Sequence, residues 1–171
     1  MNQKNIANEF HIPRWEELPE IDLYLDQTVT ILETYLKNYI GNEKEKIITK
    51  TMINNYVKHE VLEPPEKKKY NKQHIATLFV ICLLKQIYSM NDIKQLIQEA
   101  LKVSPSKKIA YNTFCSSLEK AIEATFEGKD YKDDNPMTEE LFLLKNVVLS
   151  FSNKLYVEKR FLYRRKNLRK D

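Results

Sequence analysis

The sequence predicts a mainly α-helical protein, on three observations. Only two glycines occur in 171 residues, too few for the tight turns of an all-β fold or for a glycine-rich phosphate loop. Apolar residues recur at three- and four-residue spacing along most of the chain, the period of a helix with one buried face. Hydrophobic residues make up 42% and charged residues 30%, so the chain can bury a core, as one domain or one domain plus an extension.

The first dozen residues are polar, but Phe10, Ile12 and Trp15 argue for an arm docked on the core. From Pro19 the pattern turns helical, with Ile21, Leu25, Val29, Leu32, Leu36 and Tyr39 or Ile40 along one stripe and Gly41 as C-cap. A short charged linker, Asn42 to Lys46, follows. Thr49 is a hydroxyl N-cap for a helix from Lys50 to about Glu60, whose core face is Ile53, Tyr56 and Val57. The opposite face carries Lys50, Thr51, Asn54, Asn55 and Lys58, with Lys50, Asn54 and Lys58 at four-residue intervals. A charged exposed face is the ordinary state of a surface helix. These residue types also suit a DNA groove, because Asn can pair bidentately with an adenine edge while ammonium groups reach the flanking phosphates.

Pro64 and Pro65 end the helical register, Glu66 to Lys69 form a charged excursion, and Asn71 caps the next helix. A cationic loop beside a polar helix is the arrangement of a winged helix-turn-helix, with the Pro19 helix as its first helix. From Lys72 to Tyr88 the chain is apolar almost all round, so later helices or a second subunit must enclose it. Cys82, inside that run, reads as a small core residue. Ser89 to Asp92 make a turn into a helix that ends near Lys102, and Ser104, Pro105 and Ser106 mark a hinge between Val103 and Ile109. This divides the chain into residues 1–102 and a helical extension, 103–171, packed as one unit. The extension holds a helix from Tyr111 to Phe126, a charged loop from Glu127 to Asn135, and a long final helix. That last helix starts at Pro136 and places Leu141, Leu144, Val148, Phe151, Leu155 and Phe161 or Leu162 on one stripe. It can serve as a dimer element or pack back on the helix around Cys82.

The formal net charge of +4 permits nucleic acid or an anionic surface without demanding either. Its distribution is more telling: Lys44 to Lys72 holds eight lysines against four glutamates, and Lys159 to Lys170 holds seven basic residues and no acid. Two distant thiols, Cys82 and Cys115, without a secretory signal point to the reduced cytoplasm. No run of about eighteen uncharged apolar residues is present to span a membrane. No catalytic residues, metal site or cofactor are expected. His11, His59 and His74 lack zinc-ligand spacing, and Cys115 alone cannot make a thiolate cluster. The pairs Glu16–Glu17 and Asp133–Asp134 read as solvated or helix-entrance charges rather than an acid–base dyad.

Ile53, Asn54, Asn55 and Tyr56, then Val61, Leu62, Pro64 and Pro65, then Tyr70 and Asn71, fall in the order of the MerR-like DNA-binding domain, which this stretch of about fifty residues resembles. More narrowly, ITKTMINNYVKHEVLEPPEKKKYNKQHIA and LPEIDLYLDQ are similar to an uncharacterised bacterial family, domain of unknown function 1836 (DUF1836), over most of the chain. The resemblance implies a MerR-like winged helix-turn-helix with a short wing, embedded in additional N- and C-terminal helices. Lys68 stands in the place of the wing's Arg, Asn54 where the MerR-like pattern has its Arg, and Glu60 in place of its turn Gly.

The expected function is a double-stranded-DNA-binding transcriptional regulator, a homodimer on a two-fold operator. Lys50, Thr51, Asn54, Asn55 and Lys58 would read the major groove, and Lys67, Lys68 and Lys69 would grip the backbone. The sequence names no small-molecule effector. The alternative is a helical protein-interaction module that keeps the winged shape without DNA, favoured by the departure at Asn54 and by the amount of chain outside the wing region. A third reading lets the basic tail bind RNA or anionic lipid nonspecifically.

Overall fold

The computed structural model describes residues 10–39, 46–132 and 137–167. Among them are six α-helices and one two-stranded antiparallel sheet, in the order β1 (Leu23–Tyr24), α1 (Leu25–Leu36), α2 (Lys50–Lys58), β2 (Lys69–Tyr70), α3 (Lys72–Leu84), α4 (Met90–Val103), α5 (Lys107–Glu127) and α6 (Glu139–Asn167). The mainly helical class expected from the sequence is the class observed.

The arm before β1 is docked, as Phe10, Ile12 and Trp15 suggest. Phe10 and Ile12 are buried, and polar bonds fix the backbone between them and the Trp15–Glu17 turn to α5. The Arg14 guanidinium donates to both carboxylate oxygens of Glu119, at 2.8 and 2.5 Å, and the Ile12 N–H donates to the same carboxylate at 2.7 Å. The Trp15 N–H donates to Asn112 Oδ1 at 2.8 Å and the Tyr111 hydroxyl to the Pro13 carbonyl at 2.8 Å. Glu16 and Glu17 are exposed charges at the entrance of the Trp15–Glu17 turn, as expected, and they also take part in the fastening, Glu16 paired with Lys108 and Glu17 bonded to His11 and to the Arg14 N–H.

The first helix begins at Leu25, not near Pro19. Leu23 and Tyr24 exchange backbone hydrogen bonds with Tyr70 and Lys69 instead, and the Gln27 side chain caps the Tyr24 N–H. Ile21 is accordingly 71% exposed rather than on the buried stripe. The stripe itself holds from Leu25 onward, with Leu25 and Val29 half-buried and Leu32, Leu36 and Tyr39 buried; Thr28, not on the expected stripe, is buried as well. The Gly41 cap and most of the charged linker lie outside the described residues.

α2 starts as expected, with Thr49 Oγ1 accepting from the Met52 N–H at 3.2 Å. It stops at Lys58, two residues early, in a left-handed turn: Glu60 has φ +56°, Val61 N–H reaches Tyr56 O at 3.0 Å and Glu60 N–H reaches Val57 O at 3.0 Å. That pair of hydrogen bonds is a Schellman ending, which normally places Gly where Glu60 stands.

α3 is capped by Asn71, whose Oδ1 accepts from the Gln73 and His74 N–H groups at 3.0 and 3.1 Å. It ends at Leu84, and Lys85 to Tyr88 form turns. Its apolar girth, including Leu78, Phe79, Ile81 and Cys82, is enclosed within the chain by α1 and α5. A second subunit is not needed to cover it. Ser106 caps α5, accepting from the Ile109 N–H at 3.2 Å, so that helix begins at Lys107, four residues before the expected Tyr111. Pro136 lies outside the described residues; α6 runs from Glu139, with Thr138 Oγ1 accepting from the Leu141 N–H. α6 packs chiefly along α5, where Thr125 Oγ1 meets Ser152 Oγ at 2.9 Å and the Phe126 and Tyr156 rings meet edge to face at 5.3 Å. Of its expected stripe, Val148, Phe151 and Leu155 are buried, whereas Phe161 is exposed.

Candidate functional site

The polar face of α2 stands as its periodicity requires. Ile53 and Tyr56 are buried beneath it, and Lys50, Thr51, Asn54, Asn55 and Lys58 are all exposed. Among the described residues the Asn54 and Asn55 amides have no hydrogen-bond partner and Lys58 has no carboxylate partner. Lys50 differs: its ammonium pairs with Asp26 in the first turn of α1. Tyr56 carries a buried hydroxyl without a partner among the described residues, and burial pushes this phenol well above its ordinary range.

The charged excursion after Pro65 is a two-residue hairpin. Glu66 and Lys69 exchange backbone bonds of 3.1 and 2.8 Å, and the residues between them, Lys67 and Lys68, have φ +48° and +65°. Two consecutive positive φ values are the mark of a type I′ turn, which sequences ordinarily fill with Asn-Gly. Here two lysines occupy it, exposed and without a carboxylate partner among the described residues. Lys69 is set apart from them. It lies in β2, half-buried, with its ammonium 5.0 Å from the centre of the Tyr24 ring.

The start of α2 and the base of the hairpin meet one short segment, since Asp26 receives Lys50 and Tyr24 receives Lys69. The hairpin is also fastened to α3. His74 is buried, with Nε2 3.1 Å from the Pro64 carbonyl and Nδ1 3.1 Å from the Asn71 N–H and 2.8 Å from Asn71 Oδ1, so the ring ties the loop at Pro64 to the cap of α3. Sequence reading missed Tyr24 and His74 as supports of this region. Tyr24 sits in a strand too short to show alternation, and the partner of His74 is a backbone carbonyl ten residues away.

The remaining titratable groups are dispersed. Burial pushes the Cys82 and Cys115 thiols each up to about 12, which leaves little thiolate at neutral pH. Among the described residues no group of three or more His, Cys, Asp and Glu could hold a metal ion, and no helix is long and apolar enough to cross a membrane.

These features define a mainly helical protein with an exposed amide-and-lysine helix beside a lysine-tipped hairpin. Residues 13–117 match the family model described as "Domain of unknown function (DUF1836)". That span is more than half of the chain, and the chain belongs to this family. No curated protein and no solved structure matches it.

Proposed function

We propose that the chain is a double-stranded-DNA-binding transcriptional regulator of the MerR-like winged helix-turn-helix kind. In this reading α1 and α2 are the two helices of the motif and the hairpin at Lys67 and Lys68 is a short wing. Asn54, Asn55, Thr51 and Lys58 face the major groove, Lys50 reaches the backbone on release from Asp26, and the wing lysines take phosphates.

The observation that carries the reading is the pair of lysines at the hairpin tip. A non-glycine residue in the left-handed region costs about 1 to 2 kcal/mol, and two adjacent ammonium groups repel. Strain of this kind clusters at functional sites. Holding two charges at the end of a stiff ribbon has a use if an anionic backbone runs past it.

The reading includes a homodimer, because helix-turn-helix proteins engage two-fold operators, and a cytoplasmic setting, where both buried thiols stay reduced. The exposed side chains Val157, Phe161 and Tyr163 on α6 favour protein contacts, and they are also what a purely protein-binding module would use. Duplex binding separates the two readings. Fluorescence anisotropy on random-sequence duplexes at low salt should give an affinity that falls steeply with added salt, and selection from a random library should enrich a palindrome. Absence of duplex binding at low salt leaves the protein-interaction module.

A further inference from the structure

A groove of about 1020 Å³ opens between α3, α4, α5 and the first turns of α6. Its walls are apolar, with Val80, Leu84, Leu96, Phe114 and Val147 among them. At its edge Val103, Phe142 and Leu143 are 54%, 57% and 44% exposed. The charge around it opposes that of the whole molecule. Four carboxylates, Glu63, Glu99, Glu139 and Glu140, line it against one ammonium, Lys107, in a chain of formal charge +4. Glu63 bonds to Lys107 and Glu99 to Lys102; Glu139 and Glu140 have no cationic partner among the described residues.

The far end of α6 has the complementary character. Val157 and Phe161 are 47% and 51% exposed, and with Arg164 they fall on one face at four- and three-residue spacing. Arg160 and Arg165 flank that face, both exposed and without a carboxylate partner among the described residues. One molecule therefore carries an acidic apolar groove and a basic apolar helix end. They cannot meet within that molecule, because eighteen residues of continuous helix hold Leu143 and Phe161 about 27 Å apart.

We propose that the groove receives the C-terminal end of α6 from a second copy of the chain, reciprocally. The two α6 helices then run in opposite directions, and a register that sets Leu143 beside Phe161 also sets Glu140 beside Arg164 and Glu139 beside Arg165. Val157 and Phe161 cover the exposed apolar edge, and the arginines meet carboxylates that have no cationic partner among the described residues. Because each copy gives an end and receives one, the contact is closed and two-fold. This rests on the homodimer in the reading above and is independent of its DNA part.

Charge reversal and cross-linking test it. Sedimentation of the unmodified chain at micromolar concentration should give twice the 20.4 kDa chain mass. Arg164→Glu with Arg165→Glu, or Glu139→Arg with Glu140→Arg, should weaken dimerisation at least tenfold while the chain keeps its helical content. Combining all four changes should restore the dimer. Leu143→Cys with Phe161→Cys should give a disulfide-linked dimer under mild oxidation, since both native thiols are buried. A monomer in the unmodified protein overturns the homodimer itself. A dimer insensitive to both reversals, reversals not rescued by their combination, or no cross-link in a chain that is dimeric, overturns only the groove as its seat.

Discussion

Arg14 and Glu119 face each other fork to fork, two parallel bonds of 2.8 and 2.5 Å joining residues 105 positions apart. The bidentate geometry is the strong form of the ion pair, and the same carboxylate also holds the Ile12 N–H. Glu119→Ala should therefore cost about 2 to 3 kcal/mol in urea unfolding. That is below the roughly 3 to 5 of a fully buried pair, because the two side chains remain 25% and 24% exposed. Arg14→Lys should recover only part of the loss relative to Arg14→Ala, an ammonium being unable to form the fork.

Acid should loosen the same fastening. The Glu16 carboxyl is drawn from its ordinary 4.5 to about 2, chiefly by its bond to the Lys108 ammonium, then by its own backbone N–H and the Asn112 amide. Glu17 moves in the same direction, chiefly through the Arg14 N–H. A carboxyl that is more acidic folded than unfolded stabilises fully above its unfolded value and progressively less as the proton returns. Unfolding midpoints of the unmodified protein and Glu16→Gln should therefore converge as pH falls from 4.5 toward 2. Curves that stay parallel over that interval would remove the assignment.

The hairpin tip should show stability and binding moving in opposite directions. Lys67→Asn with Lys68→Gly suits the turn and should raise stability by about 1 to 2 kcal/mol. It also deletes two ammonium groups, so the slope of log affinity for duplex against log salt should shrink by about two units. Unchanged salt dependence in a protein that does bind duplex would detach the tip from DNA.

On α2 the expected pattern is the reverse of a core defect. Asn54→Ala and Asn55→Ala should each cost roughly 1 to 3 kcal/mol on a preferred duplex and little on random sequence, with stability changed by less than about 0.5 kcal/mol. Ile53→Ala, directly beneath, should instead cost about 2 to 5 kcal/mol of stability. Loss of stability in the Asn variants at constant affinity would place those amides in a protein contact.

Tyr56 offers a test within the core. Its hydroxyl is buried without a partner among the described residues, and such a group costs about 1 to 3 kcal/mol. Tyr56→Phe keeps the ring under Lys85 and should be neutral or stabilising by thermal unfolding. A clear loss of stability would mean the hydroxyl is bonded in solution.

What could be read from the sequence was what local chemistry decides. Thr49 and Asn71 cap their helices because a side-chain oxygen satisfies amides two or three residues away, and the two faces of α2 follow from its 3.6-residue period. What could not be read depends on distant partners. β1 is two residues long and exists because Tyr70 and Lys69 pair with it, while the helical spacing of the sequence runs straight through it to Pro19. The type I′ turn was hidden because Lys-Lys stands where Asn-Gly would have announced it. Ser106 caps α5, but its place beside Pro105 and Ser104 makes it look like part of a hinge, so the sequence shows the helix only from Tyr111. The direction in which α6 packs has no local signature, since its stripe fits α3, α5 or a second copy equally well.

The docked arm also sets an order of events during synthesis. Arg14 leaves the ribosome before its receptor Glu119 has been made, and at about 5 to 20 residues per second the 105 positions from one to the other take roughly 5 to 20 seconds. Throughout that interval Phe10, Ile12 and Trp15 have no α5 to lie on, although α1 to α3 can already gather around their own apolar faces. The nascent chain thus carries these three apolar side chains without their receptor until α5 emerges.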